Sequence, residues 1–212
     1  MEPATWRTYL VTQASRSAGR DTVSIVETAL DGGVDAVQLR EKGTDARHRY
    51  RLGLRLRELT DEAGVPLIVN DRIDLARAVA ADGVHLGQAD LPVEIARDQL
   101  GPDAVVGCSV ATVEEATTAE AAGADYLGVG AVYATDSKDV DAENEGIGPE
   151  RVREIADAVE IPVVGIGGID ATNAGAVAEA GATGVAVISA ITAADDPSDA
   201  TRELREVVEN VR

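Results

Sequence analysis

The chain has 212 residues, with 38 acidic against 19 basic side chains for a net charge of −19, and one Cys. So acidic a surface repels phosphate backbones and anionic bilayers, which excludes nucleic acid and membrane surfaces as general partners. One Cys excludes an internal disulfide and a Cys-rich zinc site, no apolar run approaches the ~18 residues of a membrane span, and the opening MEPATWRTYL lacks a leader pattern, so the cytoplasm is the expected setting.

Seventeen of the basic residues are Arg; only Lys42 and Lys138 are Lys. Acids spread along the whole chain and a near absence of Lys point to a salt-rich, halophilic cytoplasm. Screening over about 3 Å at ~1 M salt suppresses the repulsion between carboxylates there.

TYLVTQ (8–13) predicts the first strand. A helix over 22–31 follows, begun by Asp21, with Val23, Val26, Ala29 and Leu30 on one face and Gly32 as its stop. AVQLRE (36–41) leads to a helix over 47–62 that aligns Leu52, Leu56 and Leu59 and stops at Gly64. PLIVND (66–71) precedes a helix at about 72–81 closed by Gly83; GVHLGQ (83–88) precedes one at 93–100 closed by Gly101. VVGCSV (105–110) is followed by a helix at 112–122, capped by Thr112 and ended by Gly123. YLGVGAVY (126–133) opens into the longest irregular segment, 134–148, placed where a lid would sit, before a helix at 149–159. PVVGIGGI (162–169) leads to a helix at 172–180, with Asp170 or Thr172 as cap and Gly181 as stop. GVAVISAI (184–191) leads to the last helix, 197–211, started by Asp196 and Pro197.

Eight short strands rich in Val, Ile and Leu read as strands buried on both faces. DGGVDAVQL, AADGVHLG, AAGADYLGV and EAGATGVAV repeat one boundary, from helix end through Gly to strand. The expected fold is an α/β single-domain (β/α)8 TIM barrel over 1–212, with a doubly wound open sheet as the alternative.

Barrels gather function at the C-terminal ends of strands. The second strand exits through Gln38-Leu39-Arg40-Glu41-Lys42, where alternation puts Gln38, Arg40 and Lys42 on one side as an anion site. The third exits at Asn70-Asp71 and the fourth at Gln88-Ala89-Asp90; Asp71 and Asp90 suit one hard divalent ion shared with phosphate oxygens, or serve as helix caps. Ser109 brings a hydroxyl from the fifth, while Cys108 and His85 read as buried strand residues and His48 as a solvated one. A Ser/His/Asp triad is not supported. Thr135-Asp136-Ser137-Lys138 follows the sixth strand, and Gly165-Ile166-Gly167-Gly168 and Ile188-Ser189 end the seventh and eighth as a phosphate loop. Two anion sites in one mouth imply two phosphorylated substrates.

VQLREK (37–42), VND (69–71), GVHLGQAD (83–90), GCS (107–109), YLGVGAVYATDSK (126–138), VVGIGGI (163–169) and AVISAI (186–191), in that order, resemble the thiamine-phosphate synthase family of (β/α)8 enzymes. The resemblance implies a transferase that joins a hydroxymethylpyrimidine diphosphate to a thiazole phosphate, with Mg²⁺ as cofactor and release of diphosphate. It implies that Gln38 and Ser109 face the pyrimidine diphosphate, within a binding stretch Gln38-Leu39-Arg40-Glu41-Lys42. Arg40, Lys42, Asn70 and Lys138 would hold the diphosphate, and Asp71 and Asp90 would ligate the metal. Thr135-Asp136-Ser137, Gly168, Ile188 and Ser189 would meet the thiazole phosphate. Arg40, Lys42, Lys138 and Ser109 are the residues expected to carry turnover, by stabilising charge that leaves in a dissociative displacement.

The loop departs from the family's usual Thr-x-Thr-Lys: Ser137 replaces the second Thr, and Asp139, Asp141, Glu143 and Glu145 follow. A thiazole tautomerase, a sugar-phosphate isomerase or epimerase barrel, and a non-catalytic binding protein are the rival readings. The expected partners are the two small-molecule substrates, and a homo-oligomer is compatible with the sequence. Lys138→Ala should lose most turnover in a steady-state assay while keeping the fold; an unchanged rate would remove Lys138 from the chemistry.

Overall fold

Alternation of apolar side chains on both faces of short strands requires a sheet covered on each side, and closure into a barrel satisfies that requirement. In the computed structural model, which describes residues 2–135 and 146–211, eight parallel strands close in chain order, with the eighth pairing the first. The strands are β1 (Thr8–Val11), β2 (Ala36–Leu39), β3 (Leu67–Asn70), β4 (Gly83–Leu86), β5 (Val105–Val110), β6 (Tyr126–Val129), β7 (Val163–Ile166) and β8 (Gly184–Val187). The helices are α1 (Thr22–Asp31), α2 (Ala46–Ala63), α3 (Ile73–Ala78), α4 (Val93–Leu100), α5 (Val113–Ala121), α6 (Gly148–Ala156), α7 (Ala174–Glu179), α8 (Ser189–Thr192) and α9 (Pro197–Glu209). Closure excludes the open doubly wound sheet.

Each strand divides its side chains by period 2. Leu10, Val37, Leu39, Val69, Leu86, Leu127 and Val187 join the outer core beneath the helices, while Tyr9, Val11, Ile68, Tyr126, Val164 and Ala186 form a separate inner core. Trp6 sits against Tyr9 and Tyr126 in edge-on contacts, with ring centroids 5.3 and 5.1 Å away.

The predicted caps at Asp21, Thr112 and Asp196 all form; Thr112 and Glu115 make a reciprocal capping box. Three points differ from expectation. Gly83 starts β4 instead of ending a helix, and a side chain there would run into the Val105 carbonyl. Asn173, rather than Asp170 or Thr172, stands at the start of α7. Most strands stop short of their apolar runs, because backbone past the last paired residue turns to build the mouth: Glu41 and Asp71 adopt φ of +40° and +63°.

The repeated Gly-to-strand boundary has a structural role at the opposite, N-terminal end. Asp35, Asp82 and Asp125 each stand just before an even-numbered strand, and each binds the preceding odd strand and an Arg. Asp35 accepts from Arg7 N (2.8 Å) and Thr8 N (3.0 Å) and pairs with Arg205 of α9 (2.5 Å). Asp82 accepts from Leu67 N (2.7 Å) and Arg57 of α2 (2.5 Å). Asp125 accepts from Val106 N (2.7 Å) and Arg97 of α4 (2.6 Å). A planar guanidinium suits such shared, partly buried carboxylates better than an ammonium does. Asp82→Ala strands the Leu67 N–H and the Arg57 charge, and should lower stability by about 2–4 kcal/mol in urea unfolding; a loss below about 0.5 kcal/mol would show that the contact contributes little.

Candidate active site

The exit of β2 is held by the exit of β1. Gln13 Oε1 accepts from Arg40 Nη1 (2.7 Å) and from Lys42 N (3.1 Å), while its Nε2 donates to the Lys42 carbonyl (3.1 Å). Arg40 N donates to Thr12 Oγ1 (3.2 Å), so the Arg40 guanidinium and the Lys42 backbone are fixed by neighbours on one loop. Arg40 is buried, and Lys42 is half exposed at the mouth.

Asp71 is anchored through its N–H to the His85 carbonyl (2.8 Å), and its carboxylate lies 3.4 Å from Lys42 Nζ. Asp90 accepts from Gly87 N (2.7 Å). Burial raises the Asp90 carboxyl above its ordinary range, with the adjoining Asp71 carboxylate adding to the rise; the Gly87 N–H and Lys42 oppose it. Two carboxyls from adjacent strands therefore face one space and repel each other when both are ionised. Neither caps α3 or α4. No cluster of three or more His, Cys, Asp or Glu with metal-holding geometry occurs among the described residues.

Across the barrel floor runs a buried polar chain. Gln38 Nε2 donates to the Tyr9 hydroxyl (2.8 Å), which is 3.0 Å from the Tyr126 hydroxyl. Tyr126 is 2.9 Å from His85 Nδ1, and His85 Nε2 is 2.9 Å from Ser109 Oγ. Burial raises both phenols above their ordinary values. Gln38, His85, Arg40 and Asn70 line a narrow cavity of about 30 Å³ at this level.

On the far side of the mouth, a larger pocket of about 440 Å³ is lined by Thr135, Gly167, Gly168, Ile188, Ser189 and Arg16. The loops after β6 and β7 are joined by Val132 N to the Ile166 carbonyl (2.9 Å) and Tyr133 N to the Gly167 carbonyl (3.0 Å). Gly167 and Gly168 have φ of +105° and +62°, and a side chain at Gly168 would lie 2.7 Å from the Ala134 carbonyl. Only Gly satisfies both demands. Asn173 Nδ2 donates to the Gly168 carbonyl (2.9 Å) and secures the loop.

The fold brings Gln38, Arg40, Lys42, Asn70, Asp71, Asp90 and Ser109 to the exits of β2–β5, and Thr135, Gly168, Ile188 and Ser189 to the exits of β6–β8. Two residues of the β2 stretch turn away. Leu39 packs in the outer core, and Glu41 is fully buried, accepting from Ala14 N (2.8 Å) and Thr22 Oγ1 (3.1 Å). These two side chains are therefore corrected from ligand contacts to structural roles; only their backbone atoms remain available to the site. Asp136, Ser137 and Lys138, and the lid expected over 134–148 except for its ends, lie outside the described residues. Gln13 and Arg16, which the sequence motifs do not single out, lie at the exit of β1, where the strand-end rule that locates the other groups also points.

A closed (β/α)8 barrel with cations, paired carboxylates and a glycine-lined pocket at one mouth has the form of an enzyme acting on small molecules. The thiamine monophosphate synthase family profile matches residues 8–191. A thiamine-phosphate synthase of Natronomonas pharaonis is 63% identical over 96% of this chain and 95% of its own length; that of Haloarcula marismortui is 63% identical over 98% and 99%. The structure of a thiamine phosphate pyrophosphorylase from Pyrococcus furiosus superposes with a TM-score of 0.87 at 42% identity, covering 99% of this chain and 98% of that one. The chain therefore belongs to the thiamine-phosphate synthase family and is a transferase of thiamine biosynthesis. Among the described residues no helix is long and apolar enough to cross a membrane.

Cys108, the single thiol, faces the outer core, where burial and then the nearby Glu115 charge push its pKa up to about 11. The neutral thiol is the stable form at physiological pH, and the thiolate is the nucleophile. Alkylation of the folded protein should stay slow at pH 8 and rise only toward pH 11; rapid labelling at pH 8 would contradict this burial.

Proposed function

We propose that the chain condenses hydroxymethylpyrimidine diphosphate with thiazole phosphate to give thiamine phosphate and diphosphate, assisted by Mg²⁺. One arrangement supports this reading: a single mouth carries two unlike sets of polar groups, each suited to an anion. Arg40, Lys42, Asp71 and Asp90 make the first, and the amide-rich pocket of about 440 Å³ at Gly167, Gly168 and Ser189 makes the second. The first suits a diphosphate with its counter-ion; the second suits a phosphate monoester.

The residues present fit a magnesium ion. Two carboxyls in one space are electrostatically unfavourable alone, and a hard cation takes one or two carboxylates and completes its shell with water and phosphate oxygens. Asp71 and Asp90 would hold it, and when bound it would supply positive charge to the departing diphosphate.

Arg40 and Lys42 stabilise the negative charge that grows as the bond between the pyrimidine methylene carbon and the diphosphate oxygen breaks. The electron pair leaves with diphosphate, and the pyrimidine ring delocalises the resulting cation. The thiazole nitrogen, positioned by the phosphate held at Gly168 and Ser189, donates its pair to that carbon. No protein nucleophile enters, so catalysis rests on positioning and electrostatics. The diphosphate site includes Asn70 and, by resemblance, Lys138. The small substrates are the partners, in a salt-rich cytoplasm that matches the acidic composition.

The test supplies both substrates with Mg²⁺ in molar KCl and follows thiamine phosphate. Product that requires both substrates and falls to background in EDTA is the expected result. Folded protein yielding none would refute the reading, and an isomerised thiazole from one substrate alone would identify the tautomerase instead.

A further inference from the structure

The helical wall carries one surface that the mouth does not use. Among the described residues four large apolar side chains stand exposed: Tyr50, Leu54, Leu91 and Ile95. Tyr50 and Leu54 lie on α2, Ile95 lies on α4, and Leu91 stands two residues before α4. Between these helices, and touching both, is α3, only six residues long, which presents Asp74, Arg77 and Ala78 outward. All four exposed apolar groups therefore belong to two ridges on either side of one short helix.

The ridges carry opposite charge. From Ala46 to Arg57, α2 has five Arg (Arg47, Arg49, Arg51, Arg55 and Arg57) and no acid, in a chain that has 38 acids. Arg47, Tyr50, Arg51 and Leu54 follow the i, i+3, i+4, i+7 spacing of one helix face, and all four are exposed. On α4 the exposed residues include Glu94, Ile95 and Asp98, while the only basic residue of that helix, Arg97, is drawn aside to Asp125 (2.6 Å). Neither Arg51 nor Glu94 has an ion pair among the described residues.

We infer that this face joins two copies of the chain about a two-fold axis, with α2 of each lying on α4 of the other and α3 near the axis. Charge selects this pairing. A two-fold contact of α2 on itself sets Arg against Arg, and one of α4 on itself sets Glu94 and Asp98 against their own equivalents. Crossed pairing brings Arg47 and Arg51 to Glu94 and Asp98, and it removes Tyr50, Leu54, Leu91 and Ile95 from water. An isologous contact repeats each interaction, so every such pair forms twice. Apolar centre and charged rim together have the anatomy of a protein–protein interface. At molar salt the repulsion between two chains of −19 would reach only about 3 Å, whereas ion pairs made in direct contact lie within that range.

Sedimentation equilibrium of the full chain in molar KCl, over rising protein concentration, should pass from one chain mass to two and stop there. Arg51→Glu and Glu94→Arg each place like charges at both copies of the contact. Each alone should raise the dimer dissociation constant at least about tenfold. Mixed in equal amounts, the two variants should recover a dimer, because each then meets the opposite charge on the other. The double variant, Arg51→Glu with Glu94→Arg, should dimerise by itself for the same reason. Both positions are exposed, so each variant should keep the wild-type circular dichroism. A wild type that stays at one chain mass would overturn the proposal, as would a mass that grows beyond two through an open head-to-tail contact. A dimer indifferent to both reversals would also overturn it, and so would folded variants that lose the dimer singly and fail to recover it on mixing. The measurement needs no substrate and is independent of the proposed reaction.

Discussion

Closure of eight parallel strands into a ring forces each strand to bury both of its faces. Everything else in this protein depends on that constraint. Outward residues meet the helices and are aliphatic, as at Leu39, Leu86 and Leu127. Inward residues meet each other in a space too small for eight large side chains per layer, so Gly107 and Gly128 stand beside Tyr126 and His85. An interior of this kind tolerates polar atoms only when they satisfy one another. The chain from Gln38 to Ser109 is that satisfaction, and it ends at the mouth.

The two ends of the barrel divide the work between stability and chemistry. At the N-terminal end, Asp35, Asp82 and Asp125 tie strand starts to Arg205, Arg57 and Arg97 on the surrounding helices. These acids are partnered, and their charges are absorbed locally. At the C-terminal end, Asp71 and Asp90 are set against each other, with Lys42 at 3.4 Å from Asp71. Carboxylates of the same residue type thus serve opposite purposes. The difference lies in whether a guanidinium is built beside them, as at Asp35, Asp82 and Asp125, or a second carboxyl is, as at Asp71 and Asp90.

The overall charge of −19 does not contradict a role in handling anions. At molar salt Coulomb interactions would extend only about 3 Å, which would hide the bulk acidic surface from within the mouth. What the substrates would meet are Arg40, Lys42, the glycine amides and Arg16. A chain that keeps only Lys42 and Lys138 places Lys42 at the mouth, and the resemblance assigns Lys138 to the same diphosphate.

The sequence alone determined the barrel, the order of its strands and most of its strand-end groups. Hydrophobic period, glycine stops and caps such as Thr112 are local signals, and strand ends become a shared mouth by topology. The family was legible too, because its motifs sit at those strand ends. Tertiary structure alone decided which side of the backbone each group serves. Leu39 and Glu41 lie between Gln38, Arg40 and Lys42 in the chain, yet one packs under the helices and the other grips Ala14 and Thr22. Gln13 acquires its role only when the exit of β1 lies beside that of β2. Tyr9, His85 and Tyr126 read as ordinary strand residues one at a time, since their spacing in sequence holds no trace of contact. Their contact is a property of the connected set, and the set exists only once the ring has closed.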